Sequence, residues 1–318
     1  MDPVQLACVL AAVVVLASML SVEVGISVAL LELGLGVVFG NLFGLDANAA
    51  WLVFIASFAS IVLTFLAGAE VDPDDFRERW VASVSIGLVS FAGPFVLAGL
   101  AAYGLLDWST KASLIAGTAL STTSLAVVYA VLVETGLNTT RVGKLLMSAC
   151  FVTDLATALA LSAIFIRPNA WFPAFLVVSI GLIVGLPKLA PRFFGRYGDR
   201  VIEPEIKLVF ACLFVLMVLA ALAHGQAVLP AFILGLVMSR HYRRHRKEQE
   251  RLRVVAFAFL TPFFFIRGGM NVSLAAVFAN LGLLRRSCSW RRWSRRSGSC
   301  CRWRGASSPN TPRSRRCS

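Results

Sequence analysis

Asp154 is the one charged residue in "SACFVTDLATALAL" (148–161), a run otherwise apolar or small and weakly polar. A carboxylate so placed either binds something or costs free energy. Earlier in the chain, "GTALSTTS" (117–124) gathers five hydroxyls within eight residues of an apolar stretch. Hydroxyl and freed carbonyl oxygens are the donors a weakly held hard cation takes. Taken alone, the same run reads equally well as small-residue helix packing. A third polar group, Arg267, interrupts "FLTPFFFIRGGMNVSL" (259–274). The carboxylate and hydroxyl oxygens are ligands for small cations, the carboxylate also takes a proton, and Arg267 is a fixed positive charge. No paired carboxylates, His cluster or nucleophile elbow points to covalent catalysis, so no enzyme, cofactor or resident metal is expected.

The elements that must position these groups follow from composition. The chain is 318 residues long, 58% hydrophobic and 15% charged, with a mean hydropathy of +0.78. Soluble domains carry roughly 25% charged residues, and runs of about 20 apolar residues span a bilayer as helices. The sequence predicts an all-α polytopic membrane protein with ten spans: 4–20, 25–43, 50–69, 81–103, 112–133, 142–166, 171–187, 207–223, 226–239 and 254–280. With the N-terminus outside, sixteen Lys and Arg fall on the inner loops and two, Lys111 and Arg167, outside. That asymmetry is the charge rule of membrane proteins. The run "RHYRRHRK" then reads as a solvated inner loop, His241 and His245 included, with no nucleic-acid partner. The predicted location is the plasma or bacterial inner membrane.

Residues 285–318 differ from the rest. They hold eleven Arg and no acid, leaving only +2 of the net +13 for the remaining chain. Four of the seven Cys and three of the seven Trp lie there too. Arg, Ser, Cys, Trp, Pro and Gly are what GC-rich codons yield out of frame, so this segment is expected to be a frameshifted or truncated, disordered end. The alternative is a basic arm for anionic lipid or RNA. The other Cys, at 8, 150 and 212, fall in separate spans and form no metal-ligand spacing.

Intramembrane charge is costly, about 2.5–3.5 kcal/mol on insertion scales, and such residues mark ion paths. Asp154 lies thirteen residues beyond Arg141, about 20 Å along a helix and near the midplane. Arg267 lies fourteen residues beyond Arg253, so equal depth and mutual neutralisation are expected.

The segments "GTALSTTSLAVVYAVLVETGLNTT", "LLMSACFVTDLATAL" and "FLTPFFFIRGGMNVSL" resemble the membrane domain of the monovalent cation:proton antiporter-2 family. "TFLAGAEVD" (64–72) and "LPAFILGLVMS" resemble two further signatures of that family. The resemblance covers residues 4–284, taken as an incomplete exchanger domain. It implies an inverted-repeat fold with a broken crossover helix, an incomplete second repeat, and spans one, two and seven to nine as a scaffold that dimerises. It implies antiport of Na⁺ or K⁺ against H⁺ by alternating access. Asp154 matches the essential aspartate of a dyad, Thr153 its partner position, Thr122, Thr123 and Ser124 the unwound crossover, and Arg267 an embedded, charge-compensating base. Many members have a second Asp, Asn or Gln where Thr153 stands.

Glu70 reads either as the lining of an inner funnel or as a helix-end acid, Glu32 as a helix-paired group, and His224 as a loop residue. A channel or regulatory subunit and an inactive antiporter fragment are the competing readings. The hydrophobic continuation expected in another reading frame beyond codon 284 would favour the fragment.

One carboxylate in place of two limits the charge that can be released. Exchange is expected to be electroneutral, one cation per proton. Flux in vesicles clamped at different membrane potentials checks this: an unchanged rate and reversal point is expected, and strong voltage dependence contradicts it.

Overall fold

The computed structural model describes residues 3–71, 78–165, 170–197, 203–276 and 278. The acidic stretch 72–75 with Arg77, the residue Arg167, and the segment 285–318 lie outside the described residues. Every described element is a helix. In chain order they are α1 (Pro3–Val24), α2 (Val28–Phe43), α3 (Ala50–Glu70), α4 (Trp80–Gly104), α5 (Thr110–Ser121), α6 (Leu125–Glu134), α7 (Arg141–Phe165), α8 (Trp171–Tyr197), α9 (Pro204–Leu222), α10 (Val228–Arg244), α11 (Arg246–Val255) and α12 (Thr261–Met270). A π turn, Ala256–Leu260, joins the last two.

Each predicted span has a helix, or a broken pair of helices, in its place. Among the described residues, eight spans are long and apolar enough to cross a bilayer, counting α5 with α6 as one. The second and ninth predicted spans are the shorter helices α2 and α10, of 16 and 17 residues. Helices suit these sequences because a hydrocarbon layer offers no partner for backbone N–H and C=O groups, and a helix satisfies them internally. The chain is an integral, multi-pass membrane protein.

Burial sorts the helices. In α3, 72% of the most apolar stretch is buried, against 11% in α4. The exposed Val81, Val89, Leu97 and Leu100 of α4 are a lipid-facing surface, since such a patch is untenable in water. Helix α3 packs against α10, α12, α6 and α9, while α4 packs against α5 and α7 and α2 against α12.

Glycine makes the closest crossings possible. A Cβ on Gly235 of α10 would overlap the Phe65 carbonyl oxygen of α3, and one on Gly68 would overlap the Phe232 carbonyl. Backbones in contact gain dispersion that lipid cannot supply, the usual source of helix association in bilayers. The π turn has a local cause. Pro262 sits in the first turn of α12 and has no N–H for the carbonyl four residues back. The ladder widens there, and the Thr261 hydroxyl donates to the Ala256 carbonyl at 3.0 Å.

Gly235→Leu is therefore expected to destabilise the folded protein by at least the ~1–3 kcal/mol typical of overpacking. Gly181→Leu, at a position on α8 with no atom near its Cβ, should be tolerated. Thermal unfolding in detergent checks the pair.

Candidate functional site

The helix break lies at Thr122, Thr123 and Ser124. Thr122 (φ −74°, ψ 143°) and Ser124 (φ −110°, ψ 108°) are extended, ending α5 and starting α6. Ser and Thr favour such a break because their hydroxyls compete for backbone groups. The Ser124 hydroxyl caps α6 by accepting from the Val127 N–H at 3.5 Å, and the Thr122 hydroxyl donates to the Thr123 carbonyl at 3.3 Å. Two half-helix ends then face each other. The carbonyl end of α5 carries partial negative charge, and the N–H end of α6 partial positive charge.

Asp154, half-buried on α7, lies against that positive end. Its carboxylate faces the backbone N–H of Leu125, the first residue of α6. One turn earlier, Cys150 faces the Thr123 side chain. These contacts hold α7 to the break.

A cavity of about 490 Å³ opens beside Asp154. Its lining has one carboxylate (Asp154), seven hydroxyls (Ser60, Thr64, Thr118, Thr122, Thr123, Ser124 and Thr157) and one amide (Gln226). Among the described residues no basic side chain lines it. The hydroxyls of Thr64, Thr118 and Thr157 donate to the carbonyls of Ser60, Leu114 and Thr153 at 2.8, 2.8 and 2.9 Å, leaving their oxygens free to accept or coordinate. The donor set is hard oxygen around a single negative charge. It matches one monovalent cation or one proton, and the carboxylate repels an anion.

The sequence-predicted residues divide. Asp154, Thr122, Thr123 and Ser124 share the cavity. Thr153 does not: it is 1% exposed and donates to the carbonyls of Ala149 at 3.0 Å and Gly87 at 3.3 Å, on the α4 side of α7.

The expected pairing of Arg267 with Asp154 is absent. The Arg267 Nε–H donates to the Ala47 carbonyl in the α2–α3 connection at 3.0 Å. Arg267 sits in the last turn of α12, so counting residues from Arg253 did not capture how near the helix end it falls.

Glu70 is ion-paired with Arg253 of α11, and the fully buried Tyr129 of α6 lies beside both. It braces α3, α6 and α11 and does not line this cavity. Glu32 is buried in α2 facing Glu134, whose Oε1 accepts the Ala29 N–H at 3.2 Å. His224 (φ 51°) occupies the turn after α9. Sequence reading missed Ser60, Thr64, Thr157 and Gln226 as lining groups. Single hydroxyls in apolar helices carry no signal that separates them from packing residues.

A family described as sodium/hydrogen exchanger, transmembrane, matches residues 9–286. The chain is 28% identical over 244 residues to a probable Na⁺/H⁺ antiporter 3 of Methanocaldococcus jannaschii, covering 73% of this chain and 62% of that protein. It is 25% identical over 248 residues to cation/H⁺ antiporter 17 of Arabidopsis thaliana, covering 70% and 29%. It is 27% identical over 277 residues to a glutathione-regulated potassium-efflux system protein of Haemophilus influenzae, covering 80% and 44%. The chain spans less than two thirds of the length of each of these relatives.

The Ser124 and Thr153 environments predict opposite reactivity. In a background with all seven Cys replaced by Ser, Ser124→Cys should react with a water-soluble thiol reagent. Thr153→Cys should remain protected while the protein stays folded. Equal labelling at both positions would contradict the described cavity.

Proposed function

Because the chain belongs to the sodium/hydrogen exchanger family, we propose that it exchanges Na⁺ or K⁺ for H⁺ across its membrane, with Asp154 as the group that carries each in turn. The observation that supports this most is the composition of the cavity wall: one carboxylate, seven hydroxyls, one amide and no base. An ionised Asp154 and a cation make a neutral site. A protonated Asp154 makes the same site neutral without one. The two occupied forms are alike in charge, and the form with neither ligand leaves a bare carboxylate in a low-dielectric setting. That difference disfavours crossing empty and couples the two fluxes.

The broken helix supplies the rest. Carbonyls at the end of α5 and the hydroxyls of Thr122, Thr123 and Ser124 would replace part of the cation's hydration shell. The N–H end of α6 holds the carboxylate in place when the cation leaves. Discontinuous helices at a midplane site serve transporters in this way, with the site exposed to each side alternately. Thr153 contributes no ligand in this reading and positions α7 against α4. Arg267 acts through the α2–α3 connection and compensates charge only at long range. Glu70 serves as a brace at the end of α3. On this reading no covalent step occurs, α1, α2 and α8 to α10 form the scaffold through which two copies pair, and the N-terminus lies outside a plasma or inner membrane.

Asp154→Asn tests this directly. Reconstituted protein should load vesicles with Na⁺ or K⁺ when a proton gradient is imposed, and the variant should fall to the level of protein-free vesicles. Its folded stability should be unchanged, because the amide oxygen can still accept the Leu125 N–H. Thr123→Val should retain exchange with a weaker apparent cation affinity. Appreciable pH-driven cation flux in Asp154→Asn would remove Asp154 from the role.

A further inference from the structure

We propose that His241, His245 and Glu248 form a binding site for a divalent ion of the zinc class at the junction of α10 and α11. The three ligating atoms lie within 4.8 Å of one another. His241 Nε2 is 3.1 Å from Glu248 Oε2, and the two imidazole rings stack with centroids 4.4 Å apart. A tetrahedral zinc site with bonds of about 2.0–2.2 Å has ligand atoms roughly 3.3–3.5 Å apart. Small rotamer changes therefore bring all three groups onto one ion, with water as the fourth ligand.

The surroundings prepare the ligands. His245 Nδ1 lies 3.2 Å from the His241 carbonyl oxygen. A proton donated there leaves Nε2 as the free lone pair, the backbone-carbonyl arrangement that fixes metal-binding histidines elsewhere. The His241 ring is held edge-on against Phe194 at 5.0 Å, and its side chain is 11% exposed. The Glu248 N–H donates to the His245 carbonyl at 3.2 Å, which fixes the first turn of α11 beneath the pair.

Two imidazoles and one carboxylate suit Zn²⁺, Ni²⁺ or Cu²⁺, whereas Ca²⁺ and Mg²⁺ need more oxygen ligands than the cluster offers. Arg240, Arg243, Arg246 and Lys247 share this stretch of chain and oppose a cation, so the Glu248 charge is essential to the site. A bound ion would clamp α10 to α11. Helix α11 carries Arg253, the partner of Glu70, and leads through the π turn into α12.

The test uses the full chain in detergent, free of any affinity tag and with its seven Cys replaced by Ser, because thiolates would compete for the metal. Zn²⁺ titration by calorimetry should show one saturable site per chain, and Zn²⁺ should raise the Tm. His241→Ala and His245→Ala should each weaken binding by more than the roughly 10–100-fold that losing an outer-shell partner costs. Each should also abolish the Zn²⁺-dependent gain in Tm. Should His241→Ala fail to fold, the exposed His245 carries the test alone, through His245→Gln. No saturable binding in the Cys-free chain, or binding that survives His245→Gln undiminished, overturns the proposal. The readout is binding, so it stands or falls independently of the antiport reading.

Discussion

Around the site, the structure depends on how an aspartate is kept inside an apolar bundle. Removing a carboxylate from water is costly unless hydrogen bonds or a partner charge compensate. Among the described residues no base lines its cavity. The compensation comes from backbone: the chain gives up three residues of helix at Thr122, Thr123 and Ser124 and turns the N–H end of α6 toward Asp154. The same break frees the carbonyl end of α5, so stabilising the carboxylate and creating cation ligands are one structural event. A continuous helix would supply neither.

The remaining architecture keeps that arrangement in register. Helix α6 is held at its middle by the Tyr129, Glu70 and Arg253 cluster, which joins it to α3 and α11. Helix α7 is held on its other face by the Thr153 bond to Gly87, where α4 approaches so closely that a Cβ would meet the Ala149 carbonyl at 2.7 Å. Helix α3, the most buried, contributes Ser60 and Thr64 to the cavity from its middle and Glu70 to the brace from its end. Polar groups therefore occupy two separate places in one apolar bundle, a hydroxyl-lined cavity and a structural ion pair.

What could be read in the sequence follows from contrast. Asp154 and the hydroxyl run stood out because their neighbours are apolar, and helix order followed from span lengths and loop charge. Thr64 and Thr157 did not stand out, since a lone polar residue in an apolar helix looks the same whether it lines a cavity or bonds its own backbone, and Gln226 lies in the connection between α9 and α10, where polar residues are ordinary. The expected pairing of Arg267 with Asp154 failed for a different reason. Counting residues gives a position along an axis, but the π turn interrupts that axis, and a long guanidinium at a helix end reaches the neighbouring connection. Glu70 and Arg253 are 183 residues apart in sequence, beyond any local pattern.

The central claim is that one carboxylate alternates between a proton and a cation. Proton release on cation addition, measured in weakly buffered detergent solution near the protein's working pH, tests it without requiring transport. The account predicts that saturating Na⁺ or K⁺ displaces protons from the wild-type chain, by no more than one per chain, and that Asp154→Asn releases none. Release of the same size from the Asp154→Asn chain would contradict it.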